Sequence, residues 1–503
     1  MPYIKNAIEM PFIAKADVMK VGLNNLGNRN AAERLFTTLL PGMNNVTQRI
    51  RYYSFYCWLI KNFYIGEKEA KESQFRSYLR NAEFLLALIH SKNGDAHGIP
   101  GTTTANTMVA EEKEKYSITD GAEGNGIRKY WKYSNGILGQ YYFVSMMDLH
   151  LVGYNNQSSI FYNITKGDHD YITGDMLANV FSESVGPIGT LFLDCIKRGY
   201  VMDEELNILY QKFNMHSLTL FPKERDILEN LLIQADYPCD NVDTNSNTYF
   251  RRETIKYFLQ YIQSSVNVSD QGYARYMYEL FKNLRDDETI VRWYAYYLNE
   301  QWQFNCTMIF SRLLSLLKLK NIWVPVDELT QDVSVDIING LGWDDSKSVS
   351  KIIEENHTDE IHSAKNAAEA FQNLIRLAST NMDHIEEIRK RCRINEQSTF
   401  SSFCKYLEKK YHSNIKEFIV SFVLEHIIYR HYIVSFIKQQ TTGIASQKFI
   451  LENDSLLYVG PYDATHTAPR VAMLANFLSD LCLIDNNNHL TERANNLLDR
   501  INK

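Results

Sequence analysis

Apolar positions along this chain recur mostly at the three-to-four-residue interval of an α-helix. Tyr52, Phe55, Tyr56, Leu59 and Phe63 fall at i, i+3, i+4, i+7 spacing and predict a helix with a nearly all-aromatic face. Pro41-Gly42 predicts a turn ahead of it, and Thr47 an N-cap. Later, Ile255, Phe258, Leu259 and Ile262 gather on one side of a helical run, and Trp293, Tyr297, Gln301, Phe304 and Met308 step by threes and fours. The segment SFVLEHIIYRHYIVSFI is apolar almost all round and predicts the centre of a domain core. Two stretches break the pattern. Residues 91–126 hold Gly94, Gly98, Gly101, Gly121, Gly124 and Gly126 plus the polar tract TTTANT, and predict a long loop, functional or mobile. Residues 344–362 are polar and read as a surface connection.

An internal echo is the most informative pattern. MDLHLVGYNN (147–156) matches SDLCLIDNNN (479–488), with Asp148, Leu149, Leu151 and Val152 opposite Asp480, Leu481, Leu483 and Ile484. Each copy follows a helical pattern and leads through a polar turn to an apolar residue plus threonine, Ile164-Thr165 or Leu490-Thr491. A helix carrying Met176, Leu177 and Val180, or Leu497, Leu498 and Ile501, comes next. Helix, turn, short β-wing and Thr-capped helix predict two winged-helix-like units.

The chain has 503 residues, 45% hydrophobic and 13% aromatic, with only 10 prolines, which predicts dense helical packing and excludes disordered and collagen-like classes. The fold expected is mainly α and multi-domain, with small β-wings. Its segments are a helical domain over 1–95, a glycine-rich loop and winged-helix-like unit over 96–200, helical domains over 201–345 and 346–445, and a winged-helix-like unit over 446–503. No run of about 18 apolar residues offers a membrane span, and the first residues lack a signal-peptide pattern, so a cytoplasmic protein is expected. Acidic residues outnumber basic ones, 60 to 53, which argues against a chain devoted to gripping phosphates. Cys57, Cys195, Cys239, Cys306, Cys392, Cys404 and Cys482 form no CxxC pair, as expected of reduced, buried thiols. No metal, cofactor or small-molecule substrate is expected.

Candidate chemistry is sparse. His426 and His431 lie five apart, about 140° around a helix, so a core role fits better than ligation. His357 and His362 sit among acidic residues in a polar stretch and read as solvated; Asp168-His169-Asp170 reads as helix capping. GAEGNG is not a phosphate loop, and GxSxG and HExxH are absent. No catalytic residue is assigned. For nucleic-acid or partner binding the candidates are Arg49 and Arg51, beside aromatic residues, and Arg470 and Asn476. The last two are expected to face outward, with Ser479 and Asp480, from the helix that would enter a DNA groove. One arginine offset by one aspartate reads a groove poorly, and residues 446–503 carry five basic against seven acidic residues, so this unit is expected to bind protein rather than DNA.

The segment LLPGMNNVTQRIRYYSFYCWLI, with FRRETIKYFLQYI and RWYAYYLNEQWQFNCTMIF further on, resembles proteins of bacterial antiphage defence operons, in particular the middle subunit of Lamassu-type systems. The resemblance rests on these blocks and carries no active-site residue. It implies an adaptor whose partners are an SMC-like ATPase and an effector nuclease, with DNA met through the complex. Kleisins, which bridge such ATPases, are similar in using small helical or winged units, though their middles are extended whereas 200–440 here reads as folded. The rival classes are a nuclease with an unrecognised active site, although no strand presents the acidic residue followed by ExK of a PD-(D/E)xK core, and a stand-alone winged-helix DNA-binding regulator.

Overall fold

Helices carry most of the described chain and strands pair only in small antiparallel sheets, the mainly α architecture that the periodicity predicts. The structure, a computed structural model, describes residues 24–66, 71–123, 135–155, 158–167, 171–216, 218–234, 247–265, 268–443 and 445–502. Cys239, Asp168-His169-Asp170 and the glycines 124 and 126 lie outside them. The chain divides into two compact units, each discontinuous in sequence. One, the long-helix unit, takes the described residues up to Phe36 and Met277–Thr467; the other, the aromatic unit, takes Thr37–Tyr276 and the residues from Ala468 on. Each unit draws on several of the five segments read from the sequence, and the stretch 446–503 is shared between them at Thr467. No single helix among the described residues is long and apolar enough to cross a membrane.

The long-helix unit is threaded by Glu288–Lys320, which starts where Asp287 accepts bonds from the amides of Thr289 and Ile290 at 2.8 and 3.1 Å. Trp293, Trp302 and Phe310 are wholly buried on it, and so are the polar Glu300, Gln303 and Asn305. Buried polar groups need partners, and Glu300 accepts from the Thr467 amide at 2.9 Å and from His466 Nδ1 at 2.8 Å. Phe422, Val423, Ile427 and Ile428 of the predicted core segment are buried, but Ile433 and Ile437 beyond them are exposed. His426 packs on Trp302, Tyr406 and Phe422. His431 donates from Nδ1 to Asn25 O at 3.1 Å and accepts the Lys448 amide at 2.9 Å, so it is a core residue, while His426 is half-buried against its aromatic neighbours. Burial pushes their imidazoles down, His426 to about 4 and His431 to about 3. The expected surface connection 344–362 contains a helix, Val349–Glu355, capped by Ser348; it forms because Val349, Ile352 and Ile353 share a buried face. His357 and His362 remain exposed.

In the aromatic unit seven helices bear on the site: α1 (Tyr52–Gly66), α2 (Glu72–Lys92), α3 (Phe143–Asp148), α4 (Gly174–Val185), α5 (Asp203–Phe213), α6 (Val471–Asp480) and α7 (Glu492–Ile501). From Tyr52 to Ile60, α1 is buried all round rather than on one face. Phe181 of α4 closes one side, 5.9 Å from Phe55 and 5.4 Å from Trp58, and Phe477 of α6 meets Tyr53 edge-on at 5.7 Å. Thr47 is not its cap: the hydroxyl is tied to Asn44 within a turn, and the helix begins at Tyr52. The expected loop 91–126 is largely ordered in its described part, with a helix at Thr102–Val109, a strand at Lys115–Ser117 and a short helix at Ile118–Ala122. Ala105, Met108 and Ile118 supply the apolar anchors that the threonine tract concealed. Gly121 lies beneath the Phe84 ring, where a Cβ would come within 1.9 Å of a ring carbon. Cys57, Cys195, Cys306, Cys392 and Cys404 are buried free thiols, and Cys482 is half-buried.

Candidate functional site

The sequence echo is an echo of hydrogen bonds. At the end of α3 the amides of Leu149, His150 and Leu151 bond back to Ser145, Met147 and Met146; at the end of α6 those of Leu481, Cys482 and Leu483 bond to Phe477, Ser479 and Leu478. His150 and Cys482 both adopt positive φ, 56° and 61°, at the turn that leaves the helix. Val152 pairs with Ile164 across the hairpin of β1 (Val152–Asn155) and β2 (Ser158–Ile164), and Ile484 pairs with Leu490 as a single bridge. The second wing is thus reduced to one bridge. Thr165 Oγ1 donates to His150 O at 2.7 Å, and Thr491 Oγ1 to Cys482 O at 2.8 Å. In the first copy Thr173 separately caps α4; in the second, Thr491 both closes the turn and caps α7.

Both copies grip the segment 37–51. The Asp148 carboxylate accepts the Gly42 amide, and a Cβ on Gly42 would come within 2.5 Å of Leu149. Asp480 accepts the Ile50 amide at 3.3 Å and Arg49 Nη1 at 2.7 Å. The four residues singled out from the sequence converge here, as internal joints. Arg470, at the start of α6 with φ 68°, donates to Leu40 O at 3.0 Å and Thr37 Oγ1 at 3.2 Å. Asn476 donates to Gln48 at 3.2 Å. Arg51 makes two 3.1 Å bonds to Glu224, bonds Asn214 O, and lies 3.9 Å from the Phe221 ring centre. Arg51 and Glu224 are both 0% exposed, so this guanidinium offers no donor to a phosphate. The outward face expected of α6 is a correction: Asp480 is wholly buried, and Arg470, Asn476 and Ser479 are half-buried. Segment 37–51, remote in sequence, covers that face.

The first copy keeps an open face. Val144 and Met147 on α3 and Tyr154 on β1 are 65%, 37% and 54% exposed, and Tyr154 lies 5.0 Å from the Phe143 ring beside Val144. From Asn135 to Thr165 the sequence has no lysine or arginine. The positions matching Val144 and Met147 in the second copy are Asn476 and Ser479, which lie on the half-covered face.

Arg49 also opens onto a histidine network that the sequence did not flag, because its members are scattered and none sits in a known motif. Arg49 Nη2 reaches His97 Nδ1 at 3.3 Å, and His216 Nε2 donates to His97 O at 2.7 Å. The other ring nitrogen of His216 pairs with Asp95, whose second oxygen accepts from Tyr210 at 2.8 Å. His90, at the end of α2, donates from Nδ1 to Asp95 O at 2.8 Å. Burial and the neighbouring His216 push the His90 imidazole down to about 4, so it is neutral at pH 7.

Fold and site together define a helical protein built on a repeated helix–turn–wing–helix element packed against an aromatic core. No protein-family profile, no curated protein and no solved structure matches the chain.

Proposed function

We propose that the chain is a non-catalytic adaptor of a bacterial antiphage defence complex, docking an SMC-like ATPase and an effector nuclease and meeting DNA through that complex. The observation that carries the adaptor reading is the unequal use of the two copies. Both hold the molecule's own segment 37–51, but the first also turns Val144, Met147 and Tyr154 to solvent. Apolar and aromatic groups on an exposed helix and wing suit a protein partner; a phosphate backbone calls for lysine and arginine, which Asn135–Thr165 lacks. The choice of partners rests on the resemblance of Leu39–Ile60, 250–262 and 292–310. Leu39–Ile60 is mostly core, so what it supports is a shared scaffold.

The test is affinity purification of the chain from its native operon, followed by native mass spectrometry. A defined complex with an ATPase and a nuclease is expected, and Val144→Glu should dissolve it without changing the melting temperature. Recovery of the chain alone or as a homo-oligomer would overturn the reading. Metal-dependent DNA cleavage by the isolated chain would favour the nuclease class instead.

A further inference from the structure

We infer that His90, Asp95 and His216 form a binding site for a divalent cation of the zinc class. The inference is independent of the adaptor reading. One nitrogen from each imidazole and one Asp95 oxygen lie within 4.8 Å of one another. Two nitrogens and a carboxylate oxygen are a donor set that suits Zn2+, which binds such atoms at about 2.0–2.2 Å and takes water in a fourth position. The ligands come from the last turn of α2, the turn behind it and the segment after α5, so a cation would fasten three pieces of backbone.

What distinguishes this cluster from a chance meeting of polar side chains is its outer layer. A ligating histidine ordinarily donates its other ring N–H to a carbonyl or carboxylate, which fixes the tautomer and aims the free nitrogen. Both histidines do so here: His90 Nδ1 donates to Asp95 O at 2.8 Å, and His216 Nε2 to His97 O at 2.7 Å. The nitrogens left over are His90 Nε2 and His216 Nδ1, the second of which faces the carboxylate of Asp95. His90 Nε2 is weakly engaged, with the Met215 amide at 3.3 Å and Phe213 O at 3.3 Å. One nitrogen cannot satisfy an amide donor and a carbonyl acceptor together, and both contacts are long. His216 Nδ1 pairs with Asp95 Oδ1, and Tyr210 holds the other carboxylate oxygen at 2.8 Å, a bond a ligating carboxylate can keep. The nearby cation, Arg49, pairs with Asp480 at 2.7 Å. His216 and Asp95 side chains are 13% and 34% exposed, which gives the ion a path in and leaves room for water.

The test uses the full chain, stripped with a chelator and titrated with Zn2+ by calorimetry and with Co2+ by absorption. One equivalent of Zn2+ at micromolar affinity or tighter is expected, with intense visible bands of four-coordinate Co2+ and a raised melting temperature. His216→Gln and Asp95→Asn should each weaken Zn2+ at least tenfold. Unliganded melting curves check that the variants fold, and if one does not, the wild-type Co2+ spectrum carries the test. No binding, weak six-coordinate Co2+ bands, or affinity unchanged in both variants would overturn the assignment.

Discussion

The two copies of the helix–turn–wing–helix element share a hydrogen-bond scheme and differ in what covers them. In the second, α6 is roofed by segment 37–51, so its outer positions are spent on Gln48, Arg49 and Leu40. In the first, the corresponding turn of α3 is open, and apolar side chains stand where the other copy has Asn476 and Ser479. Identical backbone bonding therefore permits opposite surfaces: the turn fixes the element's shape, and the outer face is free to take either an internal or an external partner.

The comparison can be broken most forcefully at the roof. Phe477 is wholly buried against Tyr53, so Phe477→Ala should cost about 3–5 kcal/mol in urea unfolding. Val144→Ala, on the open copy, should stay within about 0.5 kcal/mol. Equal costs would mean that the second copy's helix is packed no more tightly than the first's. Arg470→Ala should cost about 1–3 kcal/mol, because it leaves the Leu40 carbonyl and Thr37 without their donors.

A second difference lies in how the helices are entered. The lead-in to α3 is held by Glu83, which accepts the amides of Ile137 and Leu138 at 2.8 Å each. Burial pushes the Glu83 carboxyl up to about 7 despite those bonds. The folded chain then keeps a proton that the unfolded chain releases near about 4.3. Stabilisation from this group is full below that pH and is lost as the pH rises through about 7. At about 1.36 kcal/mol per unit, the wild type should lose about 3 kcal/mol more than Glu83→Gln between pH 4 and pH 8. Parallel pH profiles of the two proteins would refute it.

The smallest effect concerns the threonines. Thr491 does two jobs that Thr165 and Thr173 divide, so Thr491→Ala should cost about 1–2 kcal/mol and Thr165→Ala about 0.5–1.5 kcal/mol, both read by urea titration.

Much of this contrast was legible in the sequence. The Asp-Leu-x-Leu echo and its distant threonine mark a turn whose closure needs two buried leucines and one hydroxyl, and the structure repeats those bonds. Helical periodicity likewise located the aromatic helix and the core segment around Phe422. It failed where a helix is covered from more than one side. Asp480 reads as exposed because it sits on the polar side of a single helix, and its partner Arg49 lies 431 residues away. The same limit hid the polar stripe of Glu288–Lys320 and the apolar face of Thr102–Val109, whose two anchors are outnumbered by threonines. The histidine network left almost no trace: His90 and Asp95 are five apart, which marks no helix face, and His216 is contributed from beyond α5.

The separation of Arg49 from Asp480 also has a bearing on how the protein is made. At roughly 5–20 residues per second, a ribosome takes on the order of 20–90 s to travel between them. Once residue 224 has been made Arg51 can have its carboxylate from Glu224, but the face of Tyr53 that Phe477 packs against stays bare until α6 is made. Residues 277–467 are translated within the same interval. A nascent chain would thus carry one finished unit and one with a bare aromatic flank, the kind of surface that chaperones bind until α6 emerges.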